Sequence, residues 1–227
     1  MRRTAGVVGE LLMTLGVLVL LFVVWQLFWT DVVSDRAQAK SVTSLERKFA
    51  EAARTPEGPR DPAAAIEGDA FAVVRVPRFG ADYARPLVRG TSAAELARGL
   101  GHYVGTAGPG EVGNFAIAGH RTTYGKPLAD IDRLRTGDEI IVETAEGENV
   151  YAVTSHEIVR PWESEVIAPV PGEPGARPTK AVLTLTSCHP KFSAKQRWVV
   201  HAELTLTRTR EQIALSDNVP APALEPS

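Results

Sequence analysis

The sequence predicts an all-β domain, a barrel or sandwich, behind an apolar N-terminal segment and a spacer. From residue 70 onward it breaks into short β-rich runs, at 71–76, 114–118, 139–144, 150–159, 181–187 and 197–206, separated by Gly and Pro. The last two runs alternate in the two-residue period of a strand with one buried face. Helical patterning inside this region is confined to two short pieces.

Taken in order, residues 1–10 carry Arg2 and Arg3, and residues 11–29 are an apolar run broken only by Thr14, Gly16 and Gln26. As a helix the run would measure about 28 Å, enough to span a bilayer core. Arginines before it and Asp31 and Asp35 after it predict a single-pass anchor with a cytoplasmic N-terminus and an extracytoplasmic remainder. A cleaved signal peptide is the alternative, but the run is too long for an h-region, and Ala37-Gln38-Ala39 lies beyond several charges. Residues 30–69 read as a linker, with a helical stalk over 44–54 and a breaker-rich stretch over 55–62.

The folded domain is expected over 70–210. Ser92-Ala93-Ala94-Glu95 has the form of a capping box, and Pro127 can open a turn presenting Leu128, Ile131 and Leu134. In the last run Trp198, Val200, Ala202 and Leu204 share one face and Arg197, Val199, His201 and Glu203 the other, so Arg197 points away from the main core. Cys188 ends the preceding run in phase with Thr184 and Thr186, opposite the Leu183 and Leu185 face. Residues 211–227 read as a loose tail.

Composition narrows the function. A formal charge of −2 and a 23% charged fraction without a basic block exclude a nucleic-acid groove. There is no second cysteine, no C-x-x-C and no H-E-x-x-H, so neither a metal nor another cofactor is expected. A single cysteine cannot form an internal disulfide, and its place on the less apolar face makes it poor core filler. A working thiol needs a nearby histidine or positive charge and a donor for the oxyanion formed in acyl chemistry. His120 and His189 are both candidates for the first task, and spacing does not choose between them.

The stretch Thr184-Leu185-Thr186-Ser187-Cys188, with Arg197 nine residues later, resembles the T-L-x-T-C…R signature of the sortases. The upstream stretch through Gly101-His102-Tyr103, Gly113-Asn114 and Ala118-Gly119-His120-Arg121 resembles the segment leading to that family's catalytic histidine. The resemblance covers roughly residues 71–206. It implies a closed eight-stranded sortase-type β-barrel with short helices, preceded by one transmembrane helix. It also implies a cysteine transpeptidase that cuts an LPxTG-type sorting signal between Thr and Gly. Cys188 would be the nucleophile, His120 the acid and base, and Arg197 the oxyanion donor. Secreted proteins bearing such signals would be one partner and a peptidoglycan-precursor amine of the lipid II type the other.

Residues 121–127, Arg-Thr-Thr-Tyr-Gly-Lys-Pro, resemble the class E branch from high-GC Gram-positive bacteria, which prefers LAxTG. Tyr124 is therefore expected to shape the pocket for the second signal position. Thr186 and Ser187 are the other residues expected to bind substrate; Ser187 stands where many members have Thr. Pilin polymerisation and a non-catalytic anchored binding module are the competing functions.

Overall fold

The protein is described by a computed structural model over residues 2–52 and 70–217. Residues 53–69 of the expected linker and 218–227 of the expected tail lie outside the described residues.

Eight strands close into a barrel in the order β1-β2-β3-β4-β7-β8-β6-β5. They are β1 (Ala70–Arg75), β2 (Ala84–Arg89), β3 (Leu100–His102), β4 (Gly113–Ala118), β5 (Glu139–Glu143), β6 (Gly147–Val159), β7 (Ala181–His189) and β8 (Gln196–Thr209). The β2–β3 and β4–β7 pairs are parallel, and the other neighbours run antiparallel. The six runs read from the sequence correspond to β1, β4, β5, β6, β7 and β8. The sequence pattern missed β2, because Pro86 interrupts it, and β3, because it has only three residues.

Alternation fills the barrel. Phe115, Ile117, Leu183, Leu185, Val200 and Ala202 lie in one buried cluster, joined by Leu128, Ile131 and Leu134 from the turn after Pro127. Closure leaves no free sheet edge in the barrel, and each strand can direct alternate residues outward. The outer face is not bare. Val199 packs there under Val159, Val166 and Ile167, so the connection from β6 to β7 runs over the β8 surface. The capping box at Ser92 is formed, opening α2 (Ala93–Leu96).

The N-terminal segment departs from the expected spacer. One helix, α1 (Arg2–Ala52), runs unbroken through the position of the expected stalk, and Val42, Leu45 and Phe49 pack it against Val73 of β1. Residues 211–217 of the expected loose tail belong to a helix, α3 (Arg210–Asp217). Among the described residues no helix is long and apolar enough to cross a membrane. The run at 11–29 includes positions 24 and 26–28, whose side chains lie outside the described residues.

Candidate active site

Strand register assembles the site. On β7 and β8, Cys188 is paired with Arg197, and both belong to the outward phase. On the other side of β7, Ala118 of β4 is level with Thr186, so His120, two residues further on, leaves β4 at the height of Cys188. The backbone of His120 thus leaves β4 on one side of Cys188, and Arg197 pairs with Cys188 on the other. Residues separated by 77 positions in sequence thus meet at one end of three adjacent strands.

Gly119 is what allows β4 to end this way. A Cβ there would stand 2.6 Å from Leu100 Cδ2 and 2.9 Å from Leu128 Cδ1, inside the core. Its N–H donates to Thr186 O at 3.1 Å, and its carbonyl accepts from Ser187 Oγ at 2.8 Å. These bonds carry the β4–β7 ladder one step past the strand and fix where His120 begins.

The two hydroxyls expected to contact substrate are engaged within the protein. Ser187 is buried and bonded to Gly119; Thr186 is buried, with Tyr103 Oη 3.1 Å from its Oγ1. Their geometry serves the scaffold beneath Cys188. Tyr124 differs: it is 39% exposed, and its ring centroid lies 5.0 Å from that of His120.

Cys188 is partly exposed. His120 is half-buried, and desolvation pushes its pKa below the ordinary histidine value, because burial disfavours the imidazolium. Its Nε2 is enclosed without a hydrogen-bond partner among the described residues. Arg197 Nη1 donates to Ala194 O and Gln196 O, each at 3.0 Å, so the turn before β8 holds the guanidinium. The other candidate histidine is occupied elsewhere: His189 Nδ1 lies 3.0 Å from Arg121 Nη1, and its ring lies against Trp198.

Arg121 is the residue the sequence reading did not single out. It is buried, donates to Cys188 O at 3.3 Å, pairs with Asp132 at 2.8 Å and lies over the Trp198 ring. One side chain therefore ties the segment after His120 to the backbone of the cysteine. Its position immediately after His120 was the only available signal. A second tie lies deeper: Asn114 Nδ2 donates to Val166 O and Ala168 O, while Thr184 Oγ1 donates to Asn114 Oδ1 and faces His201 Nδ1, which pins the β6–β7 connection to the sheet. Among the described residues no group of three or more His, Cys, Asp or Glu is arranged to hold a metal ion.

A thiol flanked by an imidazole and a guanidinium on a rigid sheet suits nucleophilic acyl transfer. Comparison with known proteins gives the same direction. Residues 74–205 match the family description "Sortase domain". Sortase SrtE1 of Streptomyces coelicolor is 36% identical over 213 residues, covering 90% of this chain and 58% of that protein, so the chain spans a little over half of that relative's length. Among solved structures, the SrtA sortase from Actinomyces oris is 40% identical with a TM-score of 0.63, covering 75% of this chain and 96% of that one. Sortase E1 from Streptomyces coelicolor, solved with a tripeptide in its active site, is 33% identical with a TM-score of 0.59 and covers 69% of this chain and 98% of that one. The chain belongs to the sortase family.

Proposed function

We propose that this protein is a membrane-anchored housekeeping sortase that cleaves an LAxTG-type sorting signal between Thr and Gly and joins the new carboxyl end to a cell-wall precursor amine. The observation that carries the reading is the register that sets Cys188 between His120 and Arg197. In this mechanism the Cys188 thiolate attacks the threonine carbonyl, forming a C–S bond and an oxyanion beside Arg197. The C–N bond then breaks as the His120 imidazolium protonates the departing glycine amine. In the thioester that remains, the acyl group stays activated without ATP. An incoming amine gives its proton to neutral His120, attacks the carbonyl and releases the thiolate.

Attachment to a bilayer is supported by α1, whose apolar side chains from Leu11 to Val23 are all exposed rather than covered by the barrel. The LAxTG preference is supported by Tyr124, whose partly exposed ring lies beside that of His120. The test uses the full chain in micelles with fluorogenic LAxTG and LPxTG peptides, with and without a glycine amine, beside Cys188→Ala. Cys188-dependent cleavage at Thr-Gly, faster on LAxTG and diverted by the amine to a joined product, is expected. Folded protein with an accessible thiol that acts on neither peptide would overturn the reading and favour a lysine-bearing pilin substrate or a binding role.

A further inference from the structure

The loop that follows His120 has an unusual backbone. Tyr124, Gly125 and Lys126 are consecutive residues with positive φ, at 52°, 76° and 49°. Only the glycine adopts that region without cost, so two side-chain-bearing residues are held there by their surroundings. Those surroundings are largely α1. Gln38 Nε2 donates to Tyr124 O at 2.8 Å, Asp31 Oδ1 accepts from Gly125 N at 3.4 Å, and Asp31 Oδ2 pairs with Lys126 Nζ at 2.5 Å. Asp35 pairs with Arg85 at 2.8 Å, and Arg85 in turn donates to Gly125 O at 3.1 Å. The approach is close enough that a Cβ on Gly125 would lie 2.9 Å from Asp35 Oδ1.

The helix is built for this contact. Asp31, Asp35, Gln38, Val42, Leu45 and Phe49 recur at alternating spacings of four and three, so they form one stripe along α1. The C-terminal half of the stripe is apolar and packs on β1; the N-terminal half is polar and meets the loop. Gln38 is only 1% exposed, and its Oε1 has no partner among the described residues. An apolar side chain would bury there at lower cost, since an unmet acceptor is destabilising. What the glutamine adds is the bond to Tyr124 O.

Resting on the sortase reading, we propose that Gln38 and Asp31 are positioning residues: α1 clamps residues 124–126, which sets the Tyr124 ring against His120 and shapes the substrate side of the groove. The segment that continues from the apolar N-terminal run is then a working part of the site rather than a passive tether. The test uses the full chain in micelles, comparing wild type, Gln38→Met, Asp31→Ala and Glu46→Ala. Glu46 lies on the same helix but pairs with Arg75 of β1, away from the loop.

Two readouts separate this claim from the functional one. The first is the titration midpoint of the His120 ring by NMR. Desolvation holds it down, and Cys188 on β7 and Arg197 on β8 are the same in every variant. Gln38→Met and Asp31→Ala are expected to move the midpoint up toward the ordinary histidine value, while Glu46→Ala leaves it in place. The second is cleavage of the LAxTG peptide, where the two loop-facing variants raise KM about five- to tenfold, the equivalent of one lost hydrogen bond, with kcat little changed. Gln38→Met should melt no lower than wild type, which separates positioning from a structural defect. If Gln38→Met fails to fold, Asp31→Ala carries the test. An unmoved His120 midpoint in the folded loop-facing variants would overturn the positioning claim, whatever the peptide assay gives. A wild type that cleaves no peptide while the midpoints move would leave positioning standing and remove the sortase reading.

Discussion

Gly119 and Ser187 show how much of this site depends on residues that do no chemistry. Glycine is required because the inward phase of β4 continues one residue past the strand, and a methyl group would stand 2.6 Å from Leu100. Gly119→Ala is expected to destabilise by about 1–3 kcal/mol through overpacking and to lower kcat/KM by displacing His120; denaturant melts and peptide assays on the same sample check both. Ser187→Ala leaves the Gly119 carbonyl unmet and should cost about 1–3 kcal/mol. Arg197→Ala removes the proposed oxyanion donor and should lower kcat about 100- to 1000-fold at unchanged stability, measured by steady-state kinetics beside a thermal melt. His120 gives a pH signature. In the thioester the sulfur carries no charge, so burial dominates and keeps the imidazole neutral below its ordinary value of 6.5. Hydrolysis of a preformed acyl-enzyme, in which the attacking water does not titrate in this range, should therefore stay fast as pH falls through 6.5 and slow only at lower pH. A drop centred above 6.5 would contradict the stated effect of burial.

At the scale of the elements, the β4 exit, the β7 end and the β8 start form one unit, and Arg121 is its cross-tie. It joins the loop after His120 to the Cys188 carbonyl, to Asp132 and to Trp198. Arg121→Ala empties a buried site and removes the donor to the Cys188 carbonyl, and should cost about 1–3 kcal/mol, with activity lost even where the protein remains folded; circular dichroism melts and kinetics together test this. Much of the unit was legible beforehand. Alternation alone put Arg197 and Cys188 on the outward face, because Leu183, Leu185, Val200 and Ala202 have to fill the barrel. The choice of His120 over His189 was not legible from spacing, since it depends on the parallel β4–β7 register, a long-range pairing that no local pattern encodes. Thr186 and Ser187 were expected to bind substrate, but both are buried, and their hydroxyls are engaged by Tyr103 and Gly119.

Across the whole molecule, barrel closure was legible only through resemblance: β2 is masked by Pro86, and three-residue β3 has no room for a pattern. The docking of α1 was missed for a physical reason. Half of the stripe it turns toward the barrel is polar, so Asp31, Asp35 and Gln38 read as solvated spacer residues until the loop and Arg85 supply their partners. The helix runs unbroken past residue 31 and packs on β1 through Val42, Leu45 and Phe49. In the proposed reaction Cys188 carries an acyl group between a sorting signal and an amine. Intact-mass analysis of the full chain mixed with an LAxTG peptide tests this step. An adduct on Cys188 equal to the peptide up to its threonine is expected, discharged by a glycine amine into a joined product. An accessible thiol that forms no adduct, or cleavage that persists in Cys188→Ala, would contradict it.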